Sequence, residues 1–283
     1  MPIYRISPNF NSHGADIVFQ SSDSLRFHVH AKNLEVSAGA FPPIPPKSEN
    51  IKGLIVADGE CVSLSEPEAV LEVLFAFMYP QRHPDLEDLP FELVSAIAEA
   101  AEKYEVYPAM NVCRRRMRDF ISTNPVEVCL YGARHSYDNV VTCTAQYAIF
   151  VPLKTVVPLL PARLVVPWID YLNSWVVARD RVLRFSWNQH HYSNGLHSAY
   201  VQNNSSCSSW RVHPEDIIRK SAITSDDPAG IRFLVDVDKT FQQKTEIERE
   251  CCRKAWIAWH NIAKGEIEKM PSFVEMIKVN TRM

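Results

Sequence analysis

Short strands alternating with helices in the first part of the chain, then helices almost alone, predict an α+β fold with a mainly α-helical C-terminal region. Two observations carry this expectation. Brief apolar segments bounded by turn residues occur up to Leu64, and from Pro67 onward apolar residues recur at helical spacing. At 283 residues the chain exceeds the roughly 250 at which single cores stop growing, so two domains are expected. With 46% hydrophobic and 22% charged residues, most of it should bury a core.

Taken in order, residues 1–14 are polar and read as a flexible N-terminus. Ala15–Gln20 and Leu25–Val29 read as strands joined by a tight turn over Ser21–Ser24, and His30–Ser37 reads as a helix. Four prolines between Phe41 and Pro46 lack the amide donor a helix needs, so a loop must follow Phe41. Leu54–Ala57 and Cys61–Leu64 flank Asp58-Gly59, a pair suited to a hairpin turn, and at least one of them should be a strand.

From Pro67 the residues Val70, Leu71, Leu74, Phe75 and Met78 share one helical face, and this helix ends before Pro80. Pro90 and Pro108 each open a further helix, the first striped by Val94, Ile97, Ala101 and Tyr104, the second by Cys113, Met117 and Phe120. Asn124-Pro125 is a cap and first-turn proline for a helix running to about His135, and Asp138 is a candidate cap for its successor. Leu164, Trp168, Tyr171, Trp175 and Val182 keep helical spacing, with Pro167 marking either a start or a kink. Gln202–Ser209 reads as a loop, and Ile247–Ile262 as a late helix.

Composition narrows function. A net charge of −3 gives no overall basic field for phosphate backbones, so direct nucleic-acid binding is not expected. Val156–Val177 is interrupted by Arg163, Asp170 and prolines, and the start lacks an apolar leader, so neither a membrane span nor secretion is expected. Seven cysteines without a CxxC pair fit a reduced cytoplasmic or nuclear setting, where the sequons at Asn203 and Asn204 would go unmodified.

Several of these segments carry a family resemblance. Ala15-Asp16-Ile17-Val18-Phe19 resembles the first strand of the BTB/POZ fold, and Phe27-His28-Val29-His30 with Leu34, Ser37 and Phe41 resembles its second strand and first core helix. Leu74–Tyr79 resembles the family's helix ending in tyrosine, and Ala100–Tyr104 with Cys113 its final helical pair. The resemblance covers about Ala15 to Phe120, and Phe77–Asp85 resembles a large fungal branch in which a Pro-rich extension replaces the usual glycine turn. It implies a BTB/POZ-like domain over 15–122, a short mixed sheet with packed helices. A mainly helical region over 123–283 would follow, its start resembling the BACK extension of many such proteins. Whether residues 181–283 form an independent domain is left open by the sequence.

The resemblance implies a protein-interaction platform with no active site, no cofactor and no metal. Asp16 matches a position near the family's dimer interface, which makes a homodimer one expected assembly, although an aspartate there can equally end a surface turn. Many relatives act as adaptors that join a client to a cullin scaffold for ubiquitin ligation. Tyr79 matches a tyrosine used in that contact, and Val56-Ala57-Asp58 is a loose match to the companion motif; the alternative role for Tyr79 is a helix-end core aromatic. A monomeric BTB module or transcriptional co-regulator without cullin contact is the second reading.

Other chemistry weighs less. His190, His191, His197, Cys207 and His213 match no regular zinc spacing and read as solvated loop residues. Arg114, Arg115, Arg116 and Arg118 read as the solvated face of a helix. No GxSxG elbow, P-loop, GxGxxG or HExxH occurs, so catalysis in the C-terminal half is the remote third reading. Cys251-Cys252 would be redox-sensitive only if exposed, and Trp168, Trp175, Trp256 and Trp259 read as core anchors.

Overall fold

A computed structural model describes residues 5–42, 61–184, 227, 230–242 and 250–280. The chain divides into two compact units, Met1–Asn124 and Pro125–Met283. The first is α+β and the described part of the second is helical.

In the first unit four strands, β1 (Arg5–Asn11), β2 (Ile17–Gln20), β3 (Leu25–Val29) and β4 (Cys61–Ser63), form a mixed sheet of order β1-β3-β2-β4. The β2/β3 hairpin is antiparallel with Phe19 opposite Phe27, whereas β1 runs parallel to β3 and β4 parallel to β2. Its turn works because Ser21 Oγ accepts from the Leu25 amide at 2.9 Å and Ser24 takes a φ of 70°.

Among the described residues four α-helices complete the unit: α1 (Ala31–Ser37), α2 (Glu68–Ala76), α3 (Phe91–Lys103) and α4 (Tyr107–Met117), with α3 packed on both α2 and α4. Pro67 and Pro90 occupy the N-cap positions of α2 and α3, where a missing amide proton costs nothing. Phe75 of α2 is fully buried and meets Phe27 at 5.1 Å, Phe19 at 5.6 Å and Phe10 at 5.7 Å between ring centroids. Phe41 stacks on Tyr104 at 4.5 Å with 9° between planes, closing the far side of that aromatic core.

Strand β1 replaces the flexible N-terminus expected over residues 1–14. It is irregular: Ile6 faces Arg26 and Asn11 faces His28, so Ser7–Phe10 bulge out opposite Phe27 alone. Ser7 is completely buried, and its hydroxyl accepts from the amides of Asn9 and Phe10, both at 3.2 Å, while donating to Glu72 of α2. The bulge thereby turns the Phe10 ring into the core.

In the second unit α5 (Pro125–Arg134) packs on α6 (Asp138–Ala148), followed by the short α7 (Leu153–Val156) and the long α8 (Ala162–Leu183). After residue 226 come α9 (Arg232–Val235), α10 (Val237–Gln242), α11 (Glu250–Glu268) and α12 (Phe273–Asn280). Asp138 does not cap α6: Tyr137 holds the N-cap position, and Asp138 sits in the first turn, paired with Lys278 of α12 at 2.5 Å. Pro167 lies inside α8, five residues after it begins, rather than at its start. Trp168, Trp175, Trp256 and Trp259 are all buried, and Trp259 Nε1 donates to the Val182 carbonyl in the last turn of α8 at 2.8 Å.

Candidate functional site

Two of the residues singled out from the sequence, Asp16 and Tyr79, converge on the N-terminus of α1. Asp16 Oδ1 accepts from the Ala31 amide at 2.6 Å, satisfying one of the unpaired donors that every helix start presents. Asp16 therefore anchors α1 to the start of β2, a local role beyond ending a turn. Tyr79, just past the end of α2, reaches the same place, its hydroxyl accepting from the His30 amide at 3.2 Å and lying 3.0 Å from His30 Nδ1.

Burial pushes the Tyr79 phenol above its ordinary range, and the Asp16 carboxylate adds to this against hydrogen bonds from His30 and Asn33. The phenol therefore stays protonated and has one proton to give, which Nδ1 accepts in the tautomer that carries its own proton on Nε2. Its ring packs edge-on to Phe10 at 5.3 Å. The hydroxyl of Tyr79 is thus turned inward onto α1, while part of the ring faces a cleft between β1 and the C-terminal end of α2. Val56 and Asp58 lie outside the described residues.

That cleft has a volume of about 340 Å³ and is walled by Phe10, Val73, Ala76, Tyr79 and Pro84, with Asn9, Glu72 and Gln81 supplying polar groups. Glu72 accepts from Ser7 at 2.9 Å and from Asn9 Nδ2 at 2.5 Å, and Gln81 Nε2 donates to the Ala76 carbonyl at 3.2 Å. The sequence reading missed both the cleft and Glu72, because Ser7 and Glu72 meet across 65 positions of chain and nothing local marks either.

A second polar cluster joins the start of α2 to the end of α3. Lys103 Nζ pairs with Glu66 at 2.7 Å and meets Ser65 Oγ at 2.6 Å, while the Tyr104 hydroxyl donates to Glu66. Burial works against the Glu66 carboxylate, yet the hydrogen bonds from Lys103 and Tyr104 outweigh it and hold its pKa below the ordinary 4.5. Lys103 is shifted up by the same pairing against its partial desolvation, so it stays an ammonium and cannot serve Ser65 as a base.

The arginine run departs from the expected solvated face at Arg116. Its guanidinium donates to the carbonyls of Leu86 and Glu87 and lies 4.5 Å from the Phe120 ring centroid, whereas Arg115 and Arg118 are exposed. Cys113 and Cys129 are buried thiols pushed up to about 12 by desolvation, which leaves them unreactive at neutral pH. No group of three or more His, Cys, Asp or Glu among the described residues is placed to hold a metal, and the cluster from His190 to His213 lies outside them, as do Asn203, Asn204 and the side chains of Cys251 and Cys252. No helix among the described residues is long and apolar enough to cross a membrane. No family model matches the sequence, and no curated protein matches it either.

Proposed function

We propose that the chain is a non-enzymatic protein-interaction protein whose first unit is a BTB/POZ-type platform, serving self-association and the contact with a scaffold or client. The observation that carries this reading is the convergence of the resemblance residues on one frame. Phe19, Phe27, Leu34 and Tyr104 are buried in the first unit. Asp16 and Tyr79 both fasten the start of α1, and a hairpin, a helix, a parallel strand and a run of helices follow in the order that the resemblance implies. Such a frame offers sheet edges and helix faces to partners without needing a reactive group.

A cullin contact through Tyr79 is the more specific form of the proposal. The inward engagement of the Tyr79 hydroxyl favours instead a BTB-type module that binds partners without a cullin. Co-elution of the full-length chain with a cullin N-terminal domain on size-exclusion chromatography separates the two. A shared peak supports a ligase adaptor; separate peaks at concentrations well above a micromolar dissociation constant exclude that form and leave the module.

A further inference from the structure

We propose that the cleft between β1 and α2 receives the basic side chain, arginine or lysine, of a partner polypeptide, an inference that rests on the protein-interaction reading above. Among the described residues, Glu72 is the one acidic residue in its lining. Every hydrogen bond to Glu72 comes from a neutral donor, the Ser7 hydroxyl or the Asn9 amide, and no cation among the described residues pairs with it. The half-buried charge is thus oriented but not neutralised.

Three further features select for a cation. The cleft opens at the C-terminal end of α2, the negative end of that helix's dipole, so an anion would meet repulsion from both the helix and Glu72. Gln81, which also lines the cleft, has its amide nitrogen engaged on the Ala76 carbonyl, which leaves its amide oxygen as an acceptor. Apart from Asn9, the rest of the wall, Phe10, Val73, Ala76, Tyr79 and Pro84, is apolar or aromatic. A purely apolar occupant would desolvate Glu72 without compensation. An arginine or lysine lays its methylenes along Phe10 and Tyr79 while its head reaches Glu72 and Gln81. The volume of about 340 Å³ lies at the lower end of the range for ligand sites and holds one such side chain with its neighbours.

Glu72 also braces the β1 bulge, so the test must separate charge from bracing. Glu72→Gln keeps an acceptor for Ser7 and removes the charge, and Ala76→Leu fills the cleft while leaving Glu72 intact. The probe is the peptide acetyl-Ala-Arg-Ala-amide, with its citrulline analogue as the uncharged isostere, titrated into the isotope-labelled full-length chain and followed by backbone amide shifts. We expect saturable shifts at Asn9, Glu72, Tyr79 and Gln81 with the arginine peptide, about tenfold or more weaker with citrulline, with Glu72→Gln and with Ala76→Leu. Equal responses to arginine and citrulline, undiminished binding by either folded variant, or no saturable shift at millimolar peptide would overturn the proposal. Because the titration involves no scaffold or second copy, its failure is distinct from failure of the platform reading.

Discussion

Tyr79 shows how one side chain can be both structural and accessible. Its hydroxyl is the partner of the His30 amide, so Tyr79→Phe leaves a partly buried N–H unpaired while preserving the ring contact with Phe10. The expected cost is about 1 kcal/mol, read as a lower urea midpoint at unchanged slope; an unchanged midpoint would mean the bond contributes nothing. Glu66 supplies a pH test. Its pKa is lower in the folded chain than its ordinary value of 4.5, so its contribution is present above that value and is lost as pH falls through the folded pKa. The stability difference between the native chain and Glu66→Gln should therefore shrink as pH drops below 4.5, and a difference that stays constant to lower pH would contradict the pairing. Of these residues, Asp16 and Tyr79 drew attention through the motifs that flank them, but their shared role at the start of α1 did not. Glu66 and Glu72 were not legible, since their partners lie far away in the sequence.

At the scale of elements, α5 and α6 cross closely enough that a Cβ on Gly132 would meet three Val140 and Val141 atoms at 3.1 Å. Both neighbours are β-branched and cannot turn aside cheaply. Gly132→Ala should consequently destabilise by about 1 kcal/mol, the overpacking strain exceeding the helix-propensity gain of about 1 kcal/mol that the same change gives elsewhere. A stabilised variant in denaturant unfolding would show that the crossing relaxes freely. Helices α2 to α5 were readable from the sequence because prolines punctuate them and their apolar stripes face local neighbours, as in α3 with Val94, Ile97 and Ala101, whereas the short α7, α10 and α12 were not. Strand β1 was not, because Arg5–Asn11 has no apolar alternation: Ile6 is exposed, Phe10 alone plugs the core, and the strand exists through pairing with β3 and the Ser7–Glu72 contact. Of the two options left for Pro167, a start or a position inside a helix, α8 takes the second: the buried stripe from Leu164 to Val182 runs across it.

For the molecule as a whole, the sequence indicated an α+β first part and a helical second part, which the described residues show. A partner cannot be read from a sequence in the same way, because a docking face is defined by what it leaves uncovered rather than by a periodic pattern. The central claim is that the first unit is a self-associating interaction platform. Light scattering of the full-length chain during size-exclusion chromatography addresses it directly. The account predicts a particle of twice the 32.3 kDa chain mass that persists on dilution through the micromolar range. A single-chain mass at every concentration would contradict it.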